Sequence, residues 1–177
     1  MGQIIKAAGL VFSFMLASGA FSATQQGQGR VSMQGAIIDT ACAISVDSRE
    51  QVIDMGRVPI ADIIRDGQGI RRDFSIKLVN CVLERPYSNK PDWKQFQVTF
   101  DGDAEGDLFG VRGDASGVAL RILDKVGNVA MPGKALPLEN IIPGDLQLDY
   151  TLRLVANNHA LRSGDYFSTI RFKLDYF

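Results

Sequence analysis

Residues Gly164 to Phe177 read GDYFSTIRFKLDYF, and this stretch decides the fold. Taken two by two, one face carries Tyr166, Ser168, Ile170, Phe172, Leu174 and Tyr176. The other carries Thr169, Arg171, Lys173 and Asp175. Alternation of this length has the period of a half-buried β-strand and not that of a helix. The strand closes the sequence, so no following hairpin is expected to cover it. An amphipathic strand short of a neighbour is an aggregation hazard, and management of this one by another chain is the expectation.

Working outward, the same period recurs. Leu148, Tyr150, Leu152 and Leu154 alternate before the turn at Asn157-Asn158, and Val118, Leu120 and Ile122 do so before Gly127-Asn128. Phe96, Val98 and Phe100 form a third inward set, and Phe74, Ile76 and Leu78 a fourth that ends at Asn80-Cys81. Ala36-Ile37-Ile38 is expected to start a strand leading to Cys42, with short strands at Ala43 to Val46 and Gln51 to Met55. Val58 to Ile64, with Pro59, reads as an edge strand or a single helical turn. Asp66 to Gly69, Glu84 to Asp92 and Asp101 to Asp107 read as loops. No segment keeps helical spacing beyond a turn or two. Short strands between turn signals predict an all-β sandwich of immunoglobulin type.

At the other end, residues 1–22 have the layout of a secretory signal. Lys6 is the only charge, Ala7 to Ala20 is apolar and small, and Ala20-Phe21-Ser22 offers a cleavage site before Ala23 or after Ala20. The apolar run is too short to span a bilayer. The rest suits one domain. The formal charge is −1 with 19 Lys and Arg against 20 Asp and Glu, and becomes −2 once Lys6 is removed, which argues against a nucleic-acid partner. The two cysteines, Cys42 and Cys81, read as one disulfide in an exported chain. Closing a loop of about 40 residues contributes roughly 4 kcal/mol in the chain-entropy model.

Catalytic chemistry finds few residues. The single histidine, His159, lies in a polar turn, and no serine sits in a GxSxG context. Without CxxC spacing zinc is not expected. Asp101, Asp103, Glu105 and Asp107 have the look of a calcium loop's start, but the twelfth position is Arg112, and a solvated hairpin loop is expected instead. Arg112-Gly113-Asp114, a tripeptide some receptors bind, carries no assignment. Tyr166, Phe172 and Tyr176 suit a core, a ligand pocket or a partner strand. Metal, cofactor and small-molecule substrate are all expected to be absent.

The order of a leader, a polar extension, GAIIDTACAIS, FSIKLVNC, GVALRILDKVGN and a terminal strand with Gly164 and penultimate Tyr176 resembles the pilin subunits of chaperone–usher fimbriae. Within that family the likeness is greatest to the P-pilus terminator subunit. The resemblance implies an incomplete immunoglobulin-like domain over 36–177, lacking its last strand and completed by a donated one. It implies a Cys42–Cys81 bridge and a groove bordered by Gly164, Tyr166, Ile170, Phe172, Leu174 and Tyr176, with the Phe177 carboxylate held by a periplasmic chaperone. It implies an N-terminal extension over 23–35 whose Gln25, Gly27, Gly29, Val31 and Met33 supply a donor strand to a neighbouring subunit at an outer-membrane usher. The implied role is a minor subunit that ends assembly and anchors the fibre, with a shaft or adaptor subunit as the alternative. The Asp101–Ser116 stretch is expected to help close the groove. Passage through the periplasm to a fimbrium on a Gram-negative surface follows.

Overall fold

Phe74, Ile76 and Leu78 on one strand and Leu148, Tyr150, Leu152 and Leu154 on another turn their apolar faces to one side, and the two strands pair over most of their length. Around this pair the computed structural model, which describes residues 29–85 and 89–177, builds a β-sandwich. In chain order its elements are β1 (Ala43–Ile44), α1 (Val46–Arg49), α2 (Ile60–Asp66), β2 (Gln68–Cys81), β3 (Gln95–Asp101), β4 (Ala104–Glu105) and β5 (Leu108–Gly110). There follow β6 (Arg112–Gly113), β7 (Val118–Asp124), β8 (Val129–Ala130), β9 (Glu139–Asn140), β10 (Gly144–Ala156), β11 (Tyr166–Phe167) and β12 (Arg171–Tyr176). The compact unit spans Ile38–Phe177. Residues 1–22 and Gln25 and Gly27 lie outside the described residues, as does part of the Glu84–Asp92 loop. Residues 29–37 carry no strand, and Val31 and Met33 are exposed.

One sheet runs β1-β2-β10-β7-β5-β4, with β8 on β7; a second runs β12-β3-β9; β6 and β11 form a small third ladder. All recorded pairs are antiparallel. Between the two main sheets lie Ile76, Leu78, Ile122, Phe96, Val98, Phe100 and Phe109, all essentially inaccessible to solvent. Phe100 meets Tyr150 edge-on at 5.0 Å and Phe74 at 6.2 Å, the tilted geometry aromatic rings prefer.

Several elements depart from the sequence expectation, each for a physical reason. Residues 36–38 form no strand. The register of β1 on β2, Ala43 opposite Val79, would carry Ile38 past Cys81, where β2 has ended. Toward Ile38 the ladder gains one further bond, from Val82 N–H to Ala41 C=O at 2.8 Å. Ala43 to Val46 keeps only two strand residues before α1 takes over. Gln51 to Met55 is tied to β2 by side chains and not by a ladder: Gln51 Nε2 donates to Ser75 O and Arg72 Nε to Asp54 O. Val58 to Ile64 resolves into helix α2, which buries Ile63. Gly67 ends it in the left-handed conformation, its N–H on Ile63 O at 2.9 Å. The cap is so tight that Gln68 and Gly69, expected in a loop, already belong to β2. The Asp101–Asp107 loop contains β4, and β5 and β6 follow.

The terminal stretch is not one continuous strand. Tyr166–Phe167 pairs with β6, Arg171–Tyr176 pairs with β3, and the chain passes between the two ladders at Ser168–Ile170. Ser168 Oγ donates to Gly110 O at 2.8 Å there. The alternation survives the break: Tyr166, Ser168, Ile170, Phe172, Leu174 and Tyr176 are all half-buried, while Phe167, Thr169, Arg171 and Lys173 are exposed.

Candidate functional site: the edge of the terminal strand

Strand β12 lies on β3 with Phe172 opposite Phe100, Leu174 opposite Val98 and Tyr176 opposite Phe96. Phe177 and Gln95 exchange both backbone bonds, Phe177 N–H to Gln95 O at 2.8 Å and Gln95 N–H to Phe177 O at 3.1 Å. Antiparallel ladders alternate bonded and non-bonded pairs. Asp175, Lys173 and Arg171 therefore turn their N–H and C=O to β3, whereas Tyr176, Leu174 and Phe172 turn theirs to the opposite edge. Strand β3 obeys the same alternation: on its far side Val98 O and Phe100 O accept from Leu136 and Gly133, both at 2.8 Å. Among the described residues no strand lies along the outer edge of β12. The residues with unpaired backbone groups are thus the ones whose apolar side chains face the core, and these side chains stay half-buried.

The two ends of this edge are fixed differently. At the chain terminus, Phe177 O accepts from Lys94 N–H at 2.7 Å as well as from Gln95. Tyr176 Oη donates to Cys42 O at 3.4 Å, and burial raises its pKa. Cys42 is bridged to Cys81 with Cα atoms 4.1 Å apart, so the disulfide anchors the start of the domain beside the end of the terminal strand. Trp93 packs on Tyr176 with ring centroids 5.9 Å apart, and the Arg85 guanidinium lies 3.9 Å over the Trp93 ring while pairing with Asp39. No motif in the sequence marked this Asp39–Arg85–Trp93 cluster. Asp39 is far from the other two in the chain, and Arg85 belongs to a stretch that reads as a loop.

At the other end, Gly164 is required by close approach: a Cβ there would stand 2.6 Å from the Asp114 carbonyl carbon. Tyr166 has a buried hydroxyl with no hydrogen-bond partner. Its pKa is raised by burial first and by Asp54 next, with Arg72 opposing. Asp54 and Arg72 are themselves joined by a bond from Arg72 Nε to Asp54 O at 2.9 Å. The Asp101–Ser116 stretch reaches the same region, with Gly113 opposite Tyr166 and Arg112 opposite Phe167.

The other sequence candidates are occupied locally. Arg112 is paired to Asp103, whose carboxyl it holds below the ordinary range, and Asp101 and Asp107 lie near Arg171 and Lys134. His159 sits in an exposed turn, 3.7 Å from Glu105. Among the described residues no group of three or more His, Cys, Asp or Glu gathers.

This geometry is a sandwich with one inward-facing strand open along its edge, the arrangement of an incomplete immunoglobulin-like domain. No family model matches the chain. It is 36% identical over 150 residues to the PRS fimbrial minor pilin protein of Escherichia coli, spanning 84% of this chain and 77% of that protein. The PAP fimbrial minor pilin protein of Escherichia coli gives the same identity and coverage. Fimbria A protein of Serratia marcescens is 31% identical over 88% of each chain. The fold superposes on the P pilus rod subunit with a TM-score of 0.66 at 21% identity, over 78% of this chain and all of that one. A chaperone–usher pilus structure gives 0.68 at 25% identity, over 86% of this chain and 97% of that one. The chain belongs to the chaperone–usher fimbrial pilin family.

Proposed function

We propose that this pilin is a minor structural subunit of a chaperone–usher fimbria on a Gram-negative surface, and that it ends assembly and anchors the fibre at its base. Assembly with other pilin subunits is its function, and no catalytic role enters. The observation that carries the reading is the one-sided pairing of β12. The N–H and C=O of Phe172, Leu174 and Tyr176 form a template for an added strand, and their half-buried side chains form the apolar floor beside it. In the periplasm that strand comes from a chaperone. At the usher, a donor strand replaces it in subunits that accept one. Residues 23–35, with Gln25, Gly27, Gly29, Val31 and Met33, serve in turn as the donor to the subunit ahead, and 36–177 is the accepting domain.

Ending growth requires that the chaperone strand not be displaced. Two features favour this: the kinship with minor pilins, and the hold on the Tyr166 end by β6 and by the close approach of Gly164 to Asp114. A 31% identity to the Major MR/P fimbria protein of Proteus mirabilis, over 90% of each chain, favours a second reading, a subunit of the shaft. The test is strand exchange in vitro, challenging the chaperone-bound subunit with N-terminal extension peptides of the other subunits. A terminator keeps its chaperone, and deleting it yields longer fibres with more shed into the medium. Rapid exchange would leave the shaft reading.

A further inference from the structure

The outward face of the larger sheet carries a charge arrangement that its own folding does not require. Register sets Arg153 of β10 opposite Arg71 of β2 and opposite Arg121 of β7. Their chain neighbours Leu152, Leu154, Leu120 and Ile122 are buried in the core, so the arginines stand on the other face. Three guanidiniums are thus borne abreast on strands about 5 Å apart. Like charges directly opposite one another destabilise a sheet.

Neutralisation within the chain is incomplete. Asp73 Oδ1 accepts from Arg71 Nε at 2.7 Å and from Thr151 Oγ1 at 2.9 Å. Arg153 donates Nη1 to a neutral acceptor, Gln68 Oε1, at 2.7 Å, and its buried Nε has no partner. The Arg121 side chain makes no ion pair or hydrogen bond among the described residues. Of the other charged groups around the cleft, Lys125 pairs with Glu139, while Asp124 accepts from Asn128 and Val126 and Asp149 from Gln147; these neutral donors leave both carboxylates charged, but neither forms an ion pair with Arg121 or Arg153. The cleft over this face has a volume of about 890 Å³, within the range of small-ligand sites.

We propose that Arg121 and Arg153 bind a phosphate dianion in this cleft. With Arg71 matched to Asp73, two adjacent cations remain. One phosphate group places two negative charges and several acceptor oxygens between two guanidinium forks, whereas a carboxylate matches only one. Asp73, Asp124 and Asp149 border the row and disfavour an extended polyanion, so the ligand is a single phosphate group, either of a soluble ester or of a lipid headgroup.

The test titrates inorganic phosphate into the subunit, purified as its assembled complex, at constant ionic strength and about pH 8, where phosphate carries close to two charges. Arginine Nε–H resonances are followed by NMR. Saturable shifts at Arg121 and Arg153 are expected, weakened about tenfold in Arg121→Gln and unchanged in Lys134→Gln. Arg121→Lys, which keeps the charge but loses the fork, should also bind more weakly, and it serves if the glutamine variant does not fold. Absence of saturable shifts, or titration of both Arg121 variants like the parent, would overturn the proposal. Co-sedimentation with phosphatidylcholine vesicles containing phosphatidic acid, lost in Arg121→Gln, would identify the headgroup source. Phosphate binding without vesicle binding would identify a soluble ester.

Discussion

Strands β3 and β12 carry nearly the same inward pattern, Phe96, Val98 and Phe100 against Phe172, Leu174 and Tyr176, and they face each other in register. Yet the first set is 0 to 2% exposed while the second is only half-buried. The difference lies in their neighbours. Strand β3 has β12 on one side and β9 on the other, with added bonds from Leu136 and Gly133. Strand β12 has β3 alone among the described residues. Hydrophobic alternation thus reports which face of a strand is inward, but not how many strands flank it. In a pilin that second quantity is the functional one.

The largest effect should come from destroying the pairing face. Replacing Phe172 and Leu174 together by Asp should abolish recovery of a one-to-one complex with the periplasmic chaperone, since each uncompensated buried carboxylate costs several kcal/mol. Co-purification from periplasmic extracts measures this, and an intact complex would refute the assigned face. Truncations should then grade the two strands. Phe100→Ala should cost about 3–5 kcal/mol in denaturant unfolding. Phe172→Ala should cost roughly half as much while its edge is uncovered, with the gap narrowing once a strand is added. Equal costs in both states would erase the contrast drawn here.

How much of this was legible in the sequence follows from the range of each interaction. The four inward sets on β2, β3, β7 and β10 were readable because alternation is local. So was the Cys42–Cys81 bridge, because two cysteines allow one pairing. The terminal stretch showed its face but not its break at Ser168–Ile170, which is set by β6 and Gly110, more than fifty residues away. Ala36 to Ile38 misled because local propensity is blind to where the partner strand ends. The arginine row was invisible for the same reason: only register across three strands brings Arg71, Arg153 and Arg121 together.

Smaller effects sharpen the comparison at its margins. Gly164→Ala must push the start of the terminal segment off Asp114 and should cost about 1–3 kcal/mol by thermal unfolding. An effect near zero would mean that this end is not tightly held. The smallest effect concerns Tyr150, whose hydroxyl is buried without a partner beneath β3 and whose pKa is pushed far up by burial, then by Glu139 and Asp124. A phenol that ionises near pH 10 when unfolded but stays neutral when folded contributes stability below that pH and loses it as pH rises further. Tyr150→Phe should therefore be nearly neutral at about pH 7 and should flatten the alkaline loss above about pH 10. An unchanged alkaline profile would assign that loss elsewhere.

The most direct measurement is residue-resolved amide exchange along β12 in the strand-completed complex. If an added strand pairs with the open edge, the N–H groups of Phe172, Leu174 and Tyr176 should be protected as strongly as those of Arg171, Lys173 and Asp175, which already bond to β3. Protection confined to Arg171, Lys173 and Asp175, with Phe172, Leu174 and Tyr176 exchanging freely, would contradict the account.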